Sequence, residues 1–209
     1  MTPRAAKIHE LTGIAAAKHH PQKAINGYQG ARSITVGNRQ TIDLVDARRI
    51  SRLQARAFFI TLQKNANLHY VNSAINLERE LGSLAQHVRL PDISVSSSIG
   101  QSNCLDATVL FASLLENAGM EPFIALTNNH AFVGWRIWTG IDQYDFLETT
   151  MIPGGNFDMA LEEGNRRYNI ALALQENDPL RIILDPAGFL YLVDVKDCRI
   201  RKKIKSLLF

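Results

Sequence analysis

The sequence predicts an α+β fold in which a helix packs on an antiparallel sheet. Apolar residues recur at helical spacing in two segments, residues 43–64 and a segment that begins at Cys104. Three short segments typical of β-strands follow the second helix, with turn residues between them. Helices and strands thus come in separate runs, which favours antiparallel hairpins over alternating parallel units.

The first predicted helix, residues 43–64, is amphipathic. Its apolar positions repeat with the period of a helix: Leu44, Ile50, Leu53, Ala57, Phe58 and Ile60. Four arginines lie between them: Arg48, Arg49, Arg52 and Arg56. This pattern predicts a helix with an apolar face and a basic face.

The second predicted helix begins at Cys104. Ser102 or Asn103 supplies the N-cap oxygen, and Gly119 stands where a left-handed C-cap is needed. One face of the helix is apolar: Ala107, Leu110, Phe111, Leu114, Leu115 and Ala118. We expect the large side chains of this helix and of the second strand after it to be buried: Phe111, Leu114, Leu115, Phe132 and Trp135.

Three candidate strands follow this helix, at residues 123–127, 130–138 and 143–149. Turn residues separate them, Asn128 and Asn129 first, then Thr139 and Gly140. Strands joined by such short turns are expected to form an antiparallel meander.

The last third of the chain has a similar character. Residues 157–174 are predicted to be helical, and short strands are predicted at residues 181–184 and 189–195. Between the two main helices, residues 70–91 are predicted to be rich in loops.

Residues 1–42 differ from the rest of the chain. They are rich in Ala, Gly, Lys and His, and glycines interrupt any long period. We interpret them as an N-terminal arm or peripheral layer, and residues 43–209 as the main domain.

Composition limits the class of protein. At 209 residues, the chain has the length of a single globular core, and a hydrophobic fraction of 46% separates it from disordered chains. The formal net charge is +3, and the basic excess is concentrated near the C-terminus at Arg199, Arg201, Lys202, Lys203 and Lys205. We interpret this run as a solvated tail, so nucleic-acid binding by this chain alone is not expected.

The sequence contains no segment typical of membrane insertion. No stretch approaches the roughly 18 apolar residues that span a bilayer, and the N-terminal residues lack the apolar core of a signal peptide. We therefore expect no membrane partner and a cytoplasmic location, or delivery as an effector by another module. Cys104 and Cys198 are too few for a disulfide scaffold and are predicted to be free thiols.

Cys104 and His130 are candidates for a nucleophile and its general base. A helix N-terminus lowers the pKa of a thiol, and so does a neighbouring imidazolium. The chain runs down the helix from Cys104 and returns along one strand, so His130 can come back to the level of the cysteine. A lone histidine at the start of a strand is more often structural, and spacing alone leaves both interpretations open.

An acidic residue would orient the imidazole and stabilise its charged form. Three acids lie on or near the third candidate strand: Asp142, Asp145 and Glu148. We interpret Asp142 and Asp145 as solvated strand residues and favour Glu148 as the acid.

The choice of Glu148 depends on the hairpin register. A three-residue loop, residues 138–140, with Gly140 in the left-handed region, would place His130 opposite Glu148, about 5 Å apart at Cβ. A two- or four-residue loop would turn Glu148 to the other face and bring Thr149 toward the histidine.

An oxyanion hole requires two hydrogen-bond donors. The backbone N–H of Cys104 is one candidate, and the side chain of Gln101 or Asn103 is a candidate for the other. The alternative roles are turn formation for Gln101 and helix capping for Asn103.

This pattern resembles the transglutaminase-like branch of the papain-like superfamily, in which a cysteine at a helix start precedes a histidine and an acid on successive strands. In particular, it resembles the transglutaminase-like module fused to bacterial superfamily 1 helicase-type proteins. The matching stretches are CLDATVLFASLLENAGMEP, HAFVGW and FLETT, with YVN at 70–72 and VRLP at 88–91. The likeness extends from about residue 55 to the C-terminus.

The resemblance implies roles for single residues: Cys104 as nucleophile, His130 as general base and acid, and Glu148 as the orienting acid. It also implies that residues 43–209 form a transglutaminase-like catalytic domain. Two features depart from the family pattern. Ser102 and Asn103 stand where Gly and Thr are usual, and Glu148 replaces the commoner Asp.

The expected function is a thiol-dependent attack on an amide bond of a protein or peptide through a thioester. If water then attacks the thioester, the enzyme is a cysteine protease, an amidase or a glutamine deamidase. If an amine attacks it, the enzyme is a transglutaminase. We favour hydrolysis because water is always present. The alternative is a catalytically idle interaction module in a larger bacterial defence or DNA-processing assembly.

No cofactor or metal is expected. The chain has no glycine motif that binds phosphate. His19 and His20 are adjacent, and no further Cys or His stands at a spacing typical of zinc ligands.

Overall fold

A computed structural model describes residues 1–66, 68–70, 88–96, 100–127, 129–177 and 191–203. The helices are α1 (Ala6–Ile14), α2 (Leu44–Asn65), α3 (Pro91–Ser96), α4 (Cys104–Asn117), α5 (Phe157–Asn177) and α6 (Val195–Ile200). The strands are β1 (Ser33–Val36), β2 (Arg39–Ile42), β3 (Leu68–Tyr70), β4 (Gly100–Ser102), β5 (Pro122–Leu126), β6 (Ala131–Arg136), β7 (Tyr144–Leu147) and β8 (Tyr191–Asp194). A π-helical turn, Ala15–His19, extends α1.

The central sheet has four strands in the order β7-β6-β5-β8, and every neighbouring pair is antiparallel. Helix α4 packs against β5 and β6. The predicted α+β class and the antiparallel meander are therefore confirmed. Of the two strands predicted near the C-terminus, residues 189–195 correspond to β8, whereas residues 181–184 lie outside the described part of the chain.

Local sequence fixes the start and end of α4. The side chain of Asn103 accepts a hydrogen bond from Asp106 N, and the Asp106 carboxylate accepts one from Asn103 N, which together form a capping box. Gly119 has a φ of +78°, as a left-handed C-cap requires. The five side chains predicted to be buried are all fully inaccessible: Phe111, Leu114, Leu115, Phe132 and Trp135.

Helix α2 matches the predicted helix closely. Asp43 caps it by accepting hydrogen bonds from Val45 N and Asp46 N. Phe58 contacts Phe111 edge to face, with the ring centroids 6.4 Å apart. The apolar face of α2 thus packs against α4, as an amphipathic helix should.

The first 42 residues include a helix of the core. Ile8 and Leu11 of α1 are fully buried in the same cluster as Phe58 and Leu115. The hairpin β1–β2 is mostly exposed. The boundary at residue 42 stays a prediction.

Short regular elements lie at the two ends of the stretch predicted to be rich in loops and just beyond it. Strands β3 and β4 pair in parallel, and α3 packs on α4. Residues 71–87 lie outside the described part of the chain. Across the described ranges, no helix has the length and apolar character needed to cross a membrane.

Candidate active site

The β6–β7 hairpin has a wider loop than predicted. Val133 lies opposite Leu147, and Ile137 N donates to Gln143 O at 3.0 Å, so the loop is residues 138–142. The predicted three-residue loop is therefore wrong, although Gly140 does have a φ of +73°. In the observed register, β7 is shifted by two positions along β6 relative to the predicted register. A shift by an even number preserves the face of every side chain, so Glu148 still faces His130.

Glu148 binds His130 directly. The Nε2 atom of His130 donates to Oε2 of Glu148 at 2.6 Å, and the carboxylate is 1% exposed. Oε1 of Glu148 accepts from the backbone N of Thr150 at 3.0 Å and from its hydroxyl at 2.7 Å. These bonds hold the ring in one orientation, in which Nδ1 is the nitrogen left for the thiol.

Cys104 is the other partner of His130. It is the first residue of α4 and is buried, and its thiol is close enough to the imidazole to raise the pKa of His130. Burial lowers the pKa of His130, but the hydrogen bonds and charges of Cys104 and Glu148 outweigh it and raise the pKa to about 9. His130 is therefore protonated at neutral pH, the state that favours a thiolate partner.

The charge of Glu148 is stabilised as well. Burial raises the pKa of this carboxyl, but the hydrogen bonds from His130 and Thr150 bring it below its ordinary value. Near neutral pH, the site therefore contains a carboxylate and an imidazolium in contact.

Arg167 of α5 is a member of the site that the sequence analysis missed. Its Nε atom lies 3.0 Å from Oε2 of Glu148 and 2.8 Å from Oε1 of Glu163. The same carboxylate oxygen thus faces both His130 and Arg167. Arg167 supplies a fixed positive charge beside a buried acid.

The position of Arg167 follows from the close approach of α5 to β7. A Cβ atom at Gly164 would lie 2.5 Å from Leu147 N and from Phe146 O, so only glycine allows this contact. Glu148 N donates to Ala160 O at 2.9 Å, which ties the end of the strand to the helix. A glycine inside a predicted helix is the one sequence signal that could have indicated this approach.

The two other candidate acids bind arginines. Asp145 was predicted to be solvated, but its side chain is buried and accepts two hydrogen bonds from Arg52, both at 2.8 Å. That prediction is wrong because Asp145 faces α2, which supplies the arginine. Asp142 is exposed as predicted, but lies in the hairpin loop and pairs with Arg136 at 2.5 Å.

The oxyanion candidates lie next to the cysteine in sequence. Oδ1 of Asn103 accepts from Asp106 N at 2.8 Å, which is the capping role. Gln101 belongs to β4, and its side chain lies outside the described part of the structure. The Cys104 N–H belongs to the first turn of α4, where backbone donors have no acceptor within the helix.

Within the described ranges, no group of three or more His, Cys, Asp or Glu side chains is arranged to hold a metal ion. Comparison of the chain with protein-family models, curated proteins and solved structures finds no match. The transglutaminase-like resemblance stays a prediction. The case for a function therefore depends on the chemistry of Cys104, His130 and Glu148.

Proposed function

We propose that this protein is a thiol-dependent enzyme that acts on amide bonds, with a papain-like fold of the transglutaminase-like branch. The observation that carries the proposal is the position of His130, which binds Glu148 at 2.6 Å and lies near enough to Cys104 for the thiol to raise its pKa. A thiol, an imidazole and a buried carboxylate in this order form the constellation of nucleophilic thiol catalysis.

In the first half of the reaction, the Cys104 thiolate attacks the carbonyl carbon of the amide. The carbonyl oxygen becomes an oxyanion, for which the Cys104 N–H is a donor. The tetrahedral intermediate then expels the amine as the C–N bond breaks, and the His130 imidazolium gives its proton to the leaving nitrogen. The products are a thioester on Cys104, a free amine and a neutral imidazole.

In the second half, neutral His130 takes a proton from water as the oxygen attacks the thioester. The C–S bond breaks, a carboxylic acid is released, and the thiolate and imidazolium are restored. A peptide bond or simple amide as substrate gives a protease or amidase. Hydrolysis of a glutamine side chain is deamidation, and an amine in place of water gives transglutamination.

Glu148 and Arg167 serve the two charge states of His130. When the imidazole is protonated, Glu148 stabilises it and keeps it oriented. When the imidazole has given up its Nδ1 proton and is neutral, Arg167 remains as the counterion of the buried carboxylate, so Glu148 stays ionised and accepts the Nε2 hydrogen bond. Arg167 is thus a positioning residue that acts through Glu148.

Profiling of peptides from a whole-cell extract treated with wild type or Cys104→Ala tests the reaction and the substrate together. New peptide termini that depend on Cys104 would indicate a protease, and glutamine-to-glutamate conversion would indicate a deamidase. Cross-links between glutamine and lysine would indicate a transglutaminase. Identical profiles for wild type and Cys104→Ala would count against an enzyme and favour the interaction module.

A further inference from the structure

A groove on the protein surface lies between the first half of α2 and the start of α5. It is a groove of about 570 Å³, of the size that accommodates a few side chains of a bound segment. Part of its lining is apolar, including Leu53, Phe157 and Leu161. The rest is dominated by four arginines of α2: Arg48, Arg49, Arg52 and Arg56.

Two of these arginines are held in place by buried carboxylates. Arg52 donates two hydrogen bonds to Asp145, and Arg49 donates two to Asp46 at 2.9 and 2.7 Å. Both aspartates are almost completely inaccessible. A guanidinium fixed in this way loses little entropy when it binds a ligand with its other N–H groups.

The groove has an excess of positive charge. Arg48 has no carboxylate of its own among the described contacts, because its Nε lies 3.7 Å from Asp145, which Arg52 already occupies, and its Nη2 donates to the neutral Gln143 at 3.3 Å. The four arginines face three carboxylates, since Arg56 pairs with Asp158. Asp46 is further shared with Arg32 at 3.8 Å. An incoming carboxylate would balance this excess.

The groove also exposes apolar surface. Val45, in the first turn of α2, lies at the groove and is 82% exposed. The guanidinium of Arg56 lies 4.9 Å from the centre of the Phe157 ring. Arginines beside aromatic and aliphatic side chains are typical of the energetically important centre of protein interfaces.

We propose that this groove is a docking site for an acidic segment of a partner protein. A carboxylate of the segment binds Arg48, with Arg56 as a second contact that Asp158 partly neutralises. The apolar side chains of the segment pack on Val45 and Leu53. A nucleic acid fits less well. It requires contacts to several phosphates, whereas the groove offers one unbalanced charge and an apolar wall.

The groove is separate from the thiol site, and the inference goes beyond the proposed function. The lining of the groove includes none of Cys104, His130, Glu148 and Arg167. Binding at the groove is therefore measurable whether or not Cys104 is catalytic.

The test selects twelve-residue peptides from a random library displayed on phage, with the full chain as the target. We expect the enriched peptides to combine several Asp or Glu residues with Leu, Ile or Phe. Fluorescence polarisation then measures the affinity of one enriched peptide for wild type and for Arg48→Gln/Arg56→Gln. These two arginines are chosen because neither is the main partner of a buried carboxylate. Loss of both should weaken binding by about 10-fold or more.

The control is Arg201→Gln, which removes one exposed arginine that pairs with Asp197 and does not line the groove, and it should change the affinity less than twofold. Circular dichroism confirms that all variants are folded. Enrichment of neutral or basic peptides would overturn the proposal, as would equal binding of the acidic peptide to the double variant. Displacement of the acidic peptide by an equimolar twelve-nucleotide single-stranded DNA would overturn it in favour of a nucleic-acid surface.

Discussion

The chemistry of the proposed site depends on a single carboxylate. Burial disfavours the charged form of Glu148, and each of its oxygens is compensated by a different set of partners. Thr150 donates two hydrogen bonds to Oε1, whereas His130 and Arg167 face Oε2. Changes at these positions should therefore alter proton transfer more than they alter the fold.

Glu148→Gln should keep the fold but slow turnover by about 10- to 10⁴-fold, because the imidazole loses its orientation and its counterion. Alkylation of Cys104 should slow more at pH 6 than at pH 9, since the imidazolium that favours the thiolate is weakened. Asp145→Asn is the control, because Asp145 binds Arg52 and should influence stability alone. If Glu148→Gln left turnover and alkylation unchanged while Asp145→Asn slowed both, the acid would be misassigned.

Arg167→Met should slow cleavage of an amide by about 10- to 100-fold. The rate of cleavage of a p-nitrophenyl ester should stay within about threefold of the wild-type rate. Without Arg167, the buried carboxylate becomes more basic and takes the Nε2 proton of the imidazolium. The neutral imidazole that remains is a much weaker acid at Nδ1, so it protonates the leaving amine poorly, whereas p-nitrophenolate leaves without a proton. Arg167→Lys should restore much of the amide rate. Arg166→Met is the matched control, since Arg166 binds Glu163. Equal losses for amide and ester would indicate a merely structural role.

At the scale of elements, the approach of α5 to β7 positions Arg167. Glycine is required at position 164 because a Cβ there would lie 2.5 Å from the backbone of Phe146 and Leu147. The contact joins a helix to the edge of a sheet and also satisfies backbone donors of the strand, such as Phe146 N, which donates to Asn165 Oδ1 at 3.0 Å.

Gly164→Ala should lower the free energy of unfolding by about 1 to 3 kcal/mol, despite the higher helix propensity of alanine, because backbone atoms cannot yield to the new Cβ. It should also reduce the amide rate, since Arg167 moves away from Glu148. Gly13→Ala in α1 is the control, because a Cβ there has no neighbour within 4 Å and should be neutral or stabilising. Urea unfolding of the two variants measures the difference, and equal stability would contradict the packing argument.

The elements fixed by local chemistry were predictable from the sequence. Helix α4 begins at the predicted residue because Asn103 and Asp106 cap each other, and it ends at a glycine. The hairpin loop was not predictable because distant groups hold it open. Thr139 donates to Glu121, and Arg136 donates to Ile141 O at 3.1 Å. Glu148 nevertheless lies on the predicted face, because a shift of two residues leaves every side chain on the same face of the strand.

The roles of Arg167 and Asp145 were not predicted for the same reason as the hairpin loop, since they too depend on groups that are distant in sequence. Both roles depend on which helix covers which strand, and the spacing of charged residues on a helix does not encode that pairing. The four arginines of α2 were visible as a basic face, but the buried aspartate beneath them, Asp145, was interpreted as solvated.

At the scale of the whole molecule, the proposed site couples stability to pH. The pKa of His130 is raised from 6.5 to about 9, so its contribution to stability is complete below about pH 6.5 and is lost as the pH rises toward 9. The full effect is on the order of 3 kcal/mol. The stability difference between wild type and His130→Gln should therefore be larger at pH 6 than at pH 9.5, as measured by urea unfolding. A pH-independent difference would show that the imidazole is not charged in the folded state.

The central claim is that Cys104 is an activated thiol, and its rate of alkylation tests this most directly. Iodoacetamide reacts with both cysteines of the chain, and peptide mass spectrometry measures each rate between pH 5 and pH 9. Our account predicts that Cys104 reacts at least about 10-fold faster than Cys198 at pH 6, because a helix N-terminus and an adjacent imidazolium both favour a thiolate. Equally slow labelling of the two thiols at pH 6, with both rates rising together toward pH 9, would contradict it.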